Sequence, residues 1–154
     1  MAIQFLDERI SVQNDTSSGT LVLPTPAPLL LGDIGLQVLA AIPTGNAADV
    51  RVALNGIVGL STDIGVIDTV TLTVERNSTG EAGTGVTVLT EIFVTTGIAA
   101  FPPLSVSAGD FPPESDVLNG EIRYSLFIVV EGEGSLILTG PVVFNGSASA
   151  GTTG

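Results

Sequence analysis

Thr69-Val70-Thr71-Leu72-Thr73-Val74 is the stretch that decides the fold. Its apolar residues occupy every second position with threonine between them, the period of a strand that buries one face and leaves the other wet. The same period recurs at Leu36, Val38, Ala40 and Ile42 and at Val50, Val52 and Leu54, and these three segments are the clearest strands. Val86, Val88, Ile92 and Val94 predict a fourth apolar face, and Ile122, Tyr124, Leu126, Ile128 and Val130 a fifth. Residues 136–138 and 142–144 close the set. With residues 3–12 and 104–107 added, the chain holds eight or nine strands, the number of a jelly-roll sandwich.

Composition agrees with that count. The chain has 154 residues, enough for one domain with a real core. Its 18 Val, 12 Ile and 17 Thr favour extended backbone, and 19 Gly with 9 Pro supply turns between the apolar runs. The expected fold is therefore all-β: a single jelly-roll-like β-sandwich of about eight strands with an extended N-terminal arm. Residues 1–19 form the arm and its linker, 20–146 the sandwich, and 147–154, made of Gly, Ser, Ala and Thr, a flexible tail.

Two groups of residues point to assembly. In the arm, Ile3 and Phe5 share one strand face while Leu6, Ile10 and Val12 share the other, so the apolar phase changes within a single strand. In the body, Leu89 and Phe93 lie opposite the Val88 and Ile92 face, and Phe127 and Val129 lie opposite Leu126 and Ile128. Strands apolar on both sides need a second cover beyond the core. That cover is another copy of the chain, or else a loop or the arm of the same chain.

The chemical side chains are sparse. There is no Cys, His, Trp or Lys, so thiol chemistry is excluded and a nucleophilic Ser or Thr would have only a carboxylate or the terminal amine as its base. Carboxylate pairs for glycoside hydrolysis can be drawn, Glu91 with Glu121 or Glu131 with Glu133, yet a single Tyr and no Trp leave few platforms for a sugar ring. We expect no enzyme, no cofactor and no small-molecule substrate. Asp110, Glu114 and Asp116 flank one loop and Asp63 and Asp68 another, but neither spacing matches a known calcium loop, and both read as solvated loops with no metal.

Sixteen acids against four arginines give a net charge of −12, which repels nucleic acid and anionic lipid. No apolar run is long enough to insert in a membrane, and the first residues carry no signal-peptide pattern. Arg9, Arg51, Arg76 and Arg123 each lie next to or two residues from an acid; strand neighbours point to opposite faces, so most partners are expected from another strand or subunit. The repeated Phe-Pro-Pro at 101–103 and 111–113 suggests two stiffened loop anchors.

Residues 50–59, Val-Arg-Val-Ala-Leu-Asn-Gly-Ile-Val-Gly, residues 69–76, Thr-Val-Thr-Leu-Thr-Val-Glu-Arg, and residues 140–146, Gly-Pro-Val-Val-Phe-Asn-Gly, resemble the β domains of spore-surface proteins. These include endospore appendage fibre subunits and exosporium-type jelly-roll domains. The chain departs from them in lacking arm cysteines and Gly-X-Y repeats. The resemblance implies a structural subunit, made without a classical signal peptide and placed on a spore surface or outside the cell. Its fibre would grow by adding the N-terminal strand of one copy to a neighbour, with copies of itself as the partner and Ile3, Phe5, Leu6, Ile10 and Val12 as the joining residues. Two other readings remain at this point. One is a closed jelly-roll trimer, as in a tip, nap or virion decoration protein, with Leu89, Phe93, Phe127 and Val129 on the threefold axis. The other is a carbohydrate-binding or adhesive module.

Overall fold

The computed structural model describes residues 3–97, 101–134 and 136–151. Among these residues nine strands are formed: β1 (Gln4–Asn14), β2 (Leu21–Val22), β3 (Leu29–Gln37), β4 (Val50–Ser61), β5 (Thr69–Arg76), β6 (Val86–Val94), β7 (Leu104–Asp110), β8 (Glu121–Glu131) and β9 (Ile137–Ala150). A short α-helix, α1 (Glu114–Val117), precedes β8. No described helix is long and apolar enough to cross a membrane.

The eight long strands make two antiparallel sheets. Sheet A runs β1-β9-β4-β7, with β2 also on β9, and sheet B runs β3-β8-β5-β6. Consecutive strands mostly alternate between the sheets, which is the jelly-roll connectivity, so nearly every apolar face meets one from the other layer. Leu36, Val52, Leu54, Val70, Leu72, Val74, Tyr124, Leu126 and Phe144 fill the space between them. Each such buried aliphatic or aromatic side chain contributes roughly 1.5–3 kcal/mol relative to an exposed one.

The predicted apolar faces of β5 and β8 are buried at every position, although Glu75 of β5 and Ser125 and Phe127 of β8, on the other face, are buried as well. Val70, Leu72 and Val74 are buried, as are Ile122, Tyr124, Leu126, Ile128 and Val130. Three other expectations are corrected. The alternation from Leu36 through Ile42 spans two structures, since β3 stops at Gln37 and residues Leu39–Ala41 form a 3₁₀ turn. In β6, Phe93 pairs with core residue Val70 and Leu89 with Val74, so Leu89 and Phe93 face inward while Ile92 and Val94 are exposed. A register shift opposite Val74 and Glu75 takes up the extra residue Val88, and periodicity alone does not reveal it.

The third correction concerns the C-terminal segment. Ser147–Ala150 is no flexible tail but the end of β9, paired on both sides, with β1 and with β4. Residues 152–154 lie outside the described residues. The small residues there have a packing role: a side chain at Gly146 would run into Leu54 Cδ2 at 2.7 Å and Ile34 Cδ1 at 2.8 Å. Small inward groups let the sheets approach, and a composition that looks like a linker is a close-packed strand.

Candidate functional site

β1 is the strand on which the functional expectation rests, and it is the outer strand of sheet A. It pairs antiparallel with β9 of its own chain, from Gln4 opposite Ala150 to Asn14 opposite Val142. The segment expected to stand apart as an arm thus completes its own sheet. A bulge between Phe5 and Asp7 explains the change of apolar phase. It turns Leu6 toward the body, where it packs partly buried against the core, and leaves Phe5, Ile10 and Val12 together on the outer face opposite Ser149, Asn145 and Val143. Their exposures are 65%, 62% and 56%, and Ile3, just before the strand, is also exposed.

No residue of β1 is fully buried. Apart from Leu6, its inward positions are polar: Asp7, Arg9 and Ser11 lie opposite the buried Ala148, Gly146 and Phe144. They tie β1 to the edge of the other sheet. The Gln37 N–H donates to Asp7 Oδ2 at 2.9 Å and the Asp33 N–H to Ser11 Oγ at 3.3 Å, which occupies two backbone donors on β3. Arg9 Nε donates to the same Asp7 oxygen at 2.8 Å. Burial opposes the Asp7 charge, but the Gln37 and Arg9 bonds outweigh it and hold the carboxyl below its ordinary pKa. Polar side chains thus satisfy an open sandwich edge that apolar ones would leave unpaired.

Beside β1, Leu6, Gln37, Leu39, Ala40, Ile42 and Pro43 line an apolar cavity of about 480 Å³ open to solvent. Gln4 spans its rim, donating through Nε2 to the Ala40 carbonyl at 3.2 Å and accepting from Thr44 Oγ1 at 3.0 Å.

The four body residues expected on one interface are divided between two faces. Leu89 and Phe93 point into the sandwich, with the Phe93 ring 5.2 Å from that of Phe101. Phe127 and Val129 lie on the opposite face of sheet B, across from Thr73 and Thr71. Phe127 is 1% exposed because residues of the same chain cover it: Pro28, Leu30 and the loop residues Gly80, Glu81 and Ala82 surround it. That loop is pinned down by the Ser78 hydroxyl on Ser125 Oγ at 2.9 Å, by the Gly83 N–H on Glu75 Oε1 at 2.8 Å, and by Arg123 Nη1 on the Ser78 carbonyl at 3.1 Å.

The charged residues act as fold anchors. Arg76 Nη1 grips both oxygens of Asp110, at 2.9 and 2.8 Å, and its Nε donates to Asp116 at 2.9 Å. The buried Tyr124 hydroxyl donates to Asp110 Oδ2 at 2.7 Å, and burial followed by the Asp110 bond raises its pKa far above the ordinary tyrosine value. Arg123 Nε donates to Asp33 at 2.7 Å, and Arg51 Nη2 to the Gly151 carbonyl at 2.6 Å. Only Arg9 takes a sequence neighbour. The Asp110 and Asp116 carboxylates are thus committed to Arg76, and buried Asp68 accepts from the Glu133 N–H at 2.6 Å. Among the described residues no group of three acids is placed to hold a metal ion. Glu91 stands opposite Leu72, whose partner on β8 is Ile128, so Glu91 lies most of a strand away from Glu121.

The apolar cavity is the feature that strand periodicity missed. Its walls come from a 3₁₀ turn and a bulge, and only the run Leu39-Ala40-Ala41-Ile42-Pro43 hinted at it.

No protein-family model matches the chain, and no curated protein does. Among solved structures it is similar to that of the infectious bursal disease virus Gx strain, at 12% identity and a TM-score of 0.41 over 94% of this chain and 31% of that one. It is likewise similar to the VP2 subviral particle of infectious bursal disease virus, at 12% identity and a TM-score of 0.42 over 93% of this chain and 39% of that one. The chain spans about a third of the length of these structures.

Proposed function

We propose that the protein is a structural subunit, without catalytic activity, that self-assembles by exchanging β1 between copies into a fibre on a spore surface or outside the cell. One observation carries the reading: β1 is an 11-residue strand that puts no residue fully inside the core, so its hold on the body is a hydrogen-bond ladder, a few polar contacts and the partly buried Leu6. A neighbour's β1 laid on β9 in the same register would restore every one of those bonds. Exchange of an identical element is a low-cost route to assembly, and a head-to-tail exchange that does not close gives a filament. The joining residues are those of β1, with Ile3, Phe5, Ile10 and Val12 left exposed for contacts between adjacent copies. The spore-surface location rests on the resemblance of the β motifs.

The test uses two forms of the chain. Cysteines at the facing positions Ile10 and Asn145, Ile10→Cys with Asn145→Cys, place a disulfide between β1 and β9 of one copy. Strand exchange predicts filaments by negative-stain microscopy from the wild-type and reduced protein and none from the oxidised monomer. A form lacking residues 1–19 should stay folded by circular dichroism and bind a synthetic peptide of residues 3–14. Filaments from the oxidised chain, or a wild type that never assembles, would overturn the proposal.

A further inference from the structure

Asp68 stands apart from the other charged residues. Its loop reads in the sequence as solvated, yet Asp68 is 1% exposed. Its Oδ1 accepts the Glu133 N–H at 2.6 Å, while its Oδ2 is buried and has no hydrogen-bond partner. The backbone on both sides holds the carboxylate in place. The Asp68 N–H donates to Thr95 Oγ1 at 2.7 Å, the Thr95 N–H donates back to the Asp68 carbonyl at 2.9 Å, and the Thr95 hydroxyl donates to the Val66 carbonyl at 3.1 Å. Gly132 closes the other side so tightly that a Cβ there would lie 2.1 Å from Asp68 Oδ1. A buried carboxylate oxygen without a donor is costly unless a positive charge answers it.

No arginine answers this one. The four arginines bond to Asp7, to the Gly151 carbonyl, to Asp110 with Asp116, and to Asp33. Asp63, Asp68, Glu131 and Glu133 gather at one end of the sandwich, where Thr69 pairs with Glu131 and Ser61 with Ile137. Arg51, Arg76 and Arg123 stand toward the other ends of β4, β5 and β8, which puts Arg76 roughly 20 Å away along β5. The Asp63, Glu131 and Glu133 side chains are exposed and make no hydrogen bond or ion pair among the described residues. Glu75 also has an unpartnered buried oxygen, Oε2, but Arg123 bonds the Ser78 carbonyl of the loop that covers it. Asp68 has acids around it and no cation.

We propose that Asp68 is the fixed ligand of a calcium ion bound between the 62–68 loop and the turn at Gly132 and Glu133. The donor chemistry selects the ion: carboxylate, carbonyl and water oxygens suit calcium, and a chain without histidine or cysteine offers transition metals none of their preferred ligands. Among the described residues no three acids converge, so the site is built on one rigid, desolvated contact, Asp68 Oδ2. Glu131 and Glu133, which flank Gly132, have exposed side chains that can turn onto the ion, and water supplies the remaining oxygens. Calcium tolerates such an irregular set, whereas magnesium requires a near-ideal octahedron. The ion joins the start of β5 to the turn that leads into β9.

The site is independent of strand exchange, and its test reads thermal unfolding and calorimetry of the full chain rather than assembly. In about 10 mM CaCl₂, roughly a hundred times the Kd of a modest calcium module, the unfolding midpoint should rise by about 5–10 °C over that in EDTA, and an equal concentration of MgCl₂ should move it far less. Asp68→Asn keeps the Oδ1 acceptor for the Glu133 N–H and removes the charge; it should fold in EDTA by circular dichroism and show no calcium response. The double variant Glu131→Gln with Glu133→Gln changes only exposed side chains and should weaken calcium binding about tenfold by isothermal titration calorimetry. A wild type indifferent to calcium, an equal rise with magnesium, an Asp68→Asn chain that responds like wild type, or a double variant that binds undiminished would overturn the site.

Discussion

β1 and β9 are neighbours in one sheet, joined along nearly their whole length, yet they are held by different forces. In β9 every second residue from Leu138 to Ala150 is buried, and the strand is bonded on both sides. In β1 none is buried, one side is bonded, and Asp7 and Ser11 occupy inward positions that apolar side chains fill elsewhere. Backbone pairing alone therefore does not make a strand structural. A strand becomes part of the core through what its side chains displace from water, and β1 displaces little.

The comparison breaks first if β9 proves tolerant. Phe144 sits over Gly32 of the facing sheet with no exposed surface, and Phe144→Ala should cost about 3–5 kcal/mol in guanidinium unfolding. The two ion pairs extend the contrast. Arg76→Ala leaves Asp116 without its ion-pair partner and Asp110 with only the Tyr124 hydroxyl, in a mostly buried setting, and should cost about 3 kcal/mol, whereas Arg9→Ala on β1 should leave the unfolding midpoint unmoved. Smaller still on the fold is the pair Ile10→Ser with Val12→Ser, expected within about 0.5 kcal/mol of wild type in the monomer. These two changes should show instead as fewer or shorter filaments by light scattering.

The finest distinction is in pH. The Asp7 pKa is lowered in the folded chain, so its contribution is present above the ordinary carboxylate value of 3.8 and is lost as the pH falls below it through the folded value. Hydrogen exchange should find β1 amides losing protection over that range before those in the β9–β4 ladder. In Asp7→Asn the β1 protection should no longer change there.

How much was legible in advance varied with how simply each segment is packed. β5 and β8 lie in the middle of sheet B, buried on one face along their full length, and period two was enough to place Val70, Leu72, Val74 and Tyr124. β1 carries register shifts at Leu6 and Gln13 and β6 one at Val88, and each extra residue inverts the side chains that follow it, so Phe5 and Ile10 came to share a face and Leu89 and Phe93 turned inward. The candidate interface was half legible: the apolar residues of β1 stood out, but the cavity by Leu39 and the cover over Phe127 depend on segments distant in sequence.

By itself the sequence determined the all-β class, the approximate strand number and the lack of a histidine, cysteine or lysine for chemistry, because composition and local period carry that information. Only the tertiary structure decided that residues 4–14 complete the chain's own sheet, that Ser147–Ala150 is an inner strand, and that Asp68 is buried against the turn at Glu133. The physical reason is that strand pairing and sheet-to-sheet approach are long-range: bulges and small residues set which faces meet, and neither leaves a periodic mark along the chain.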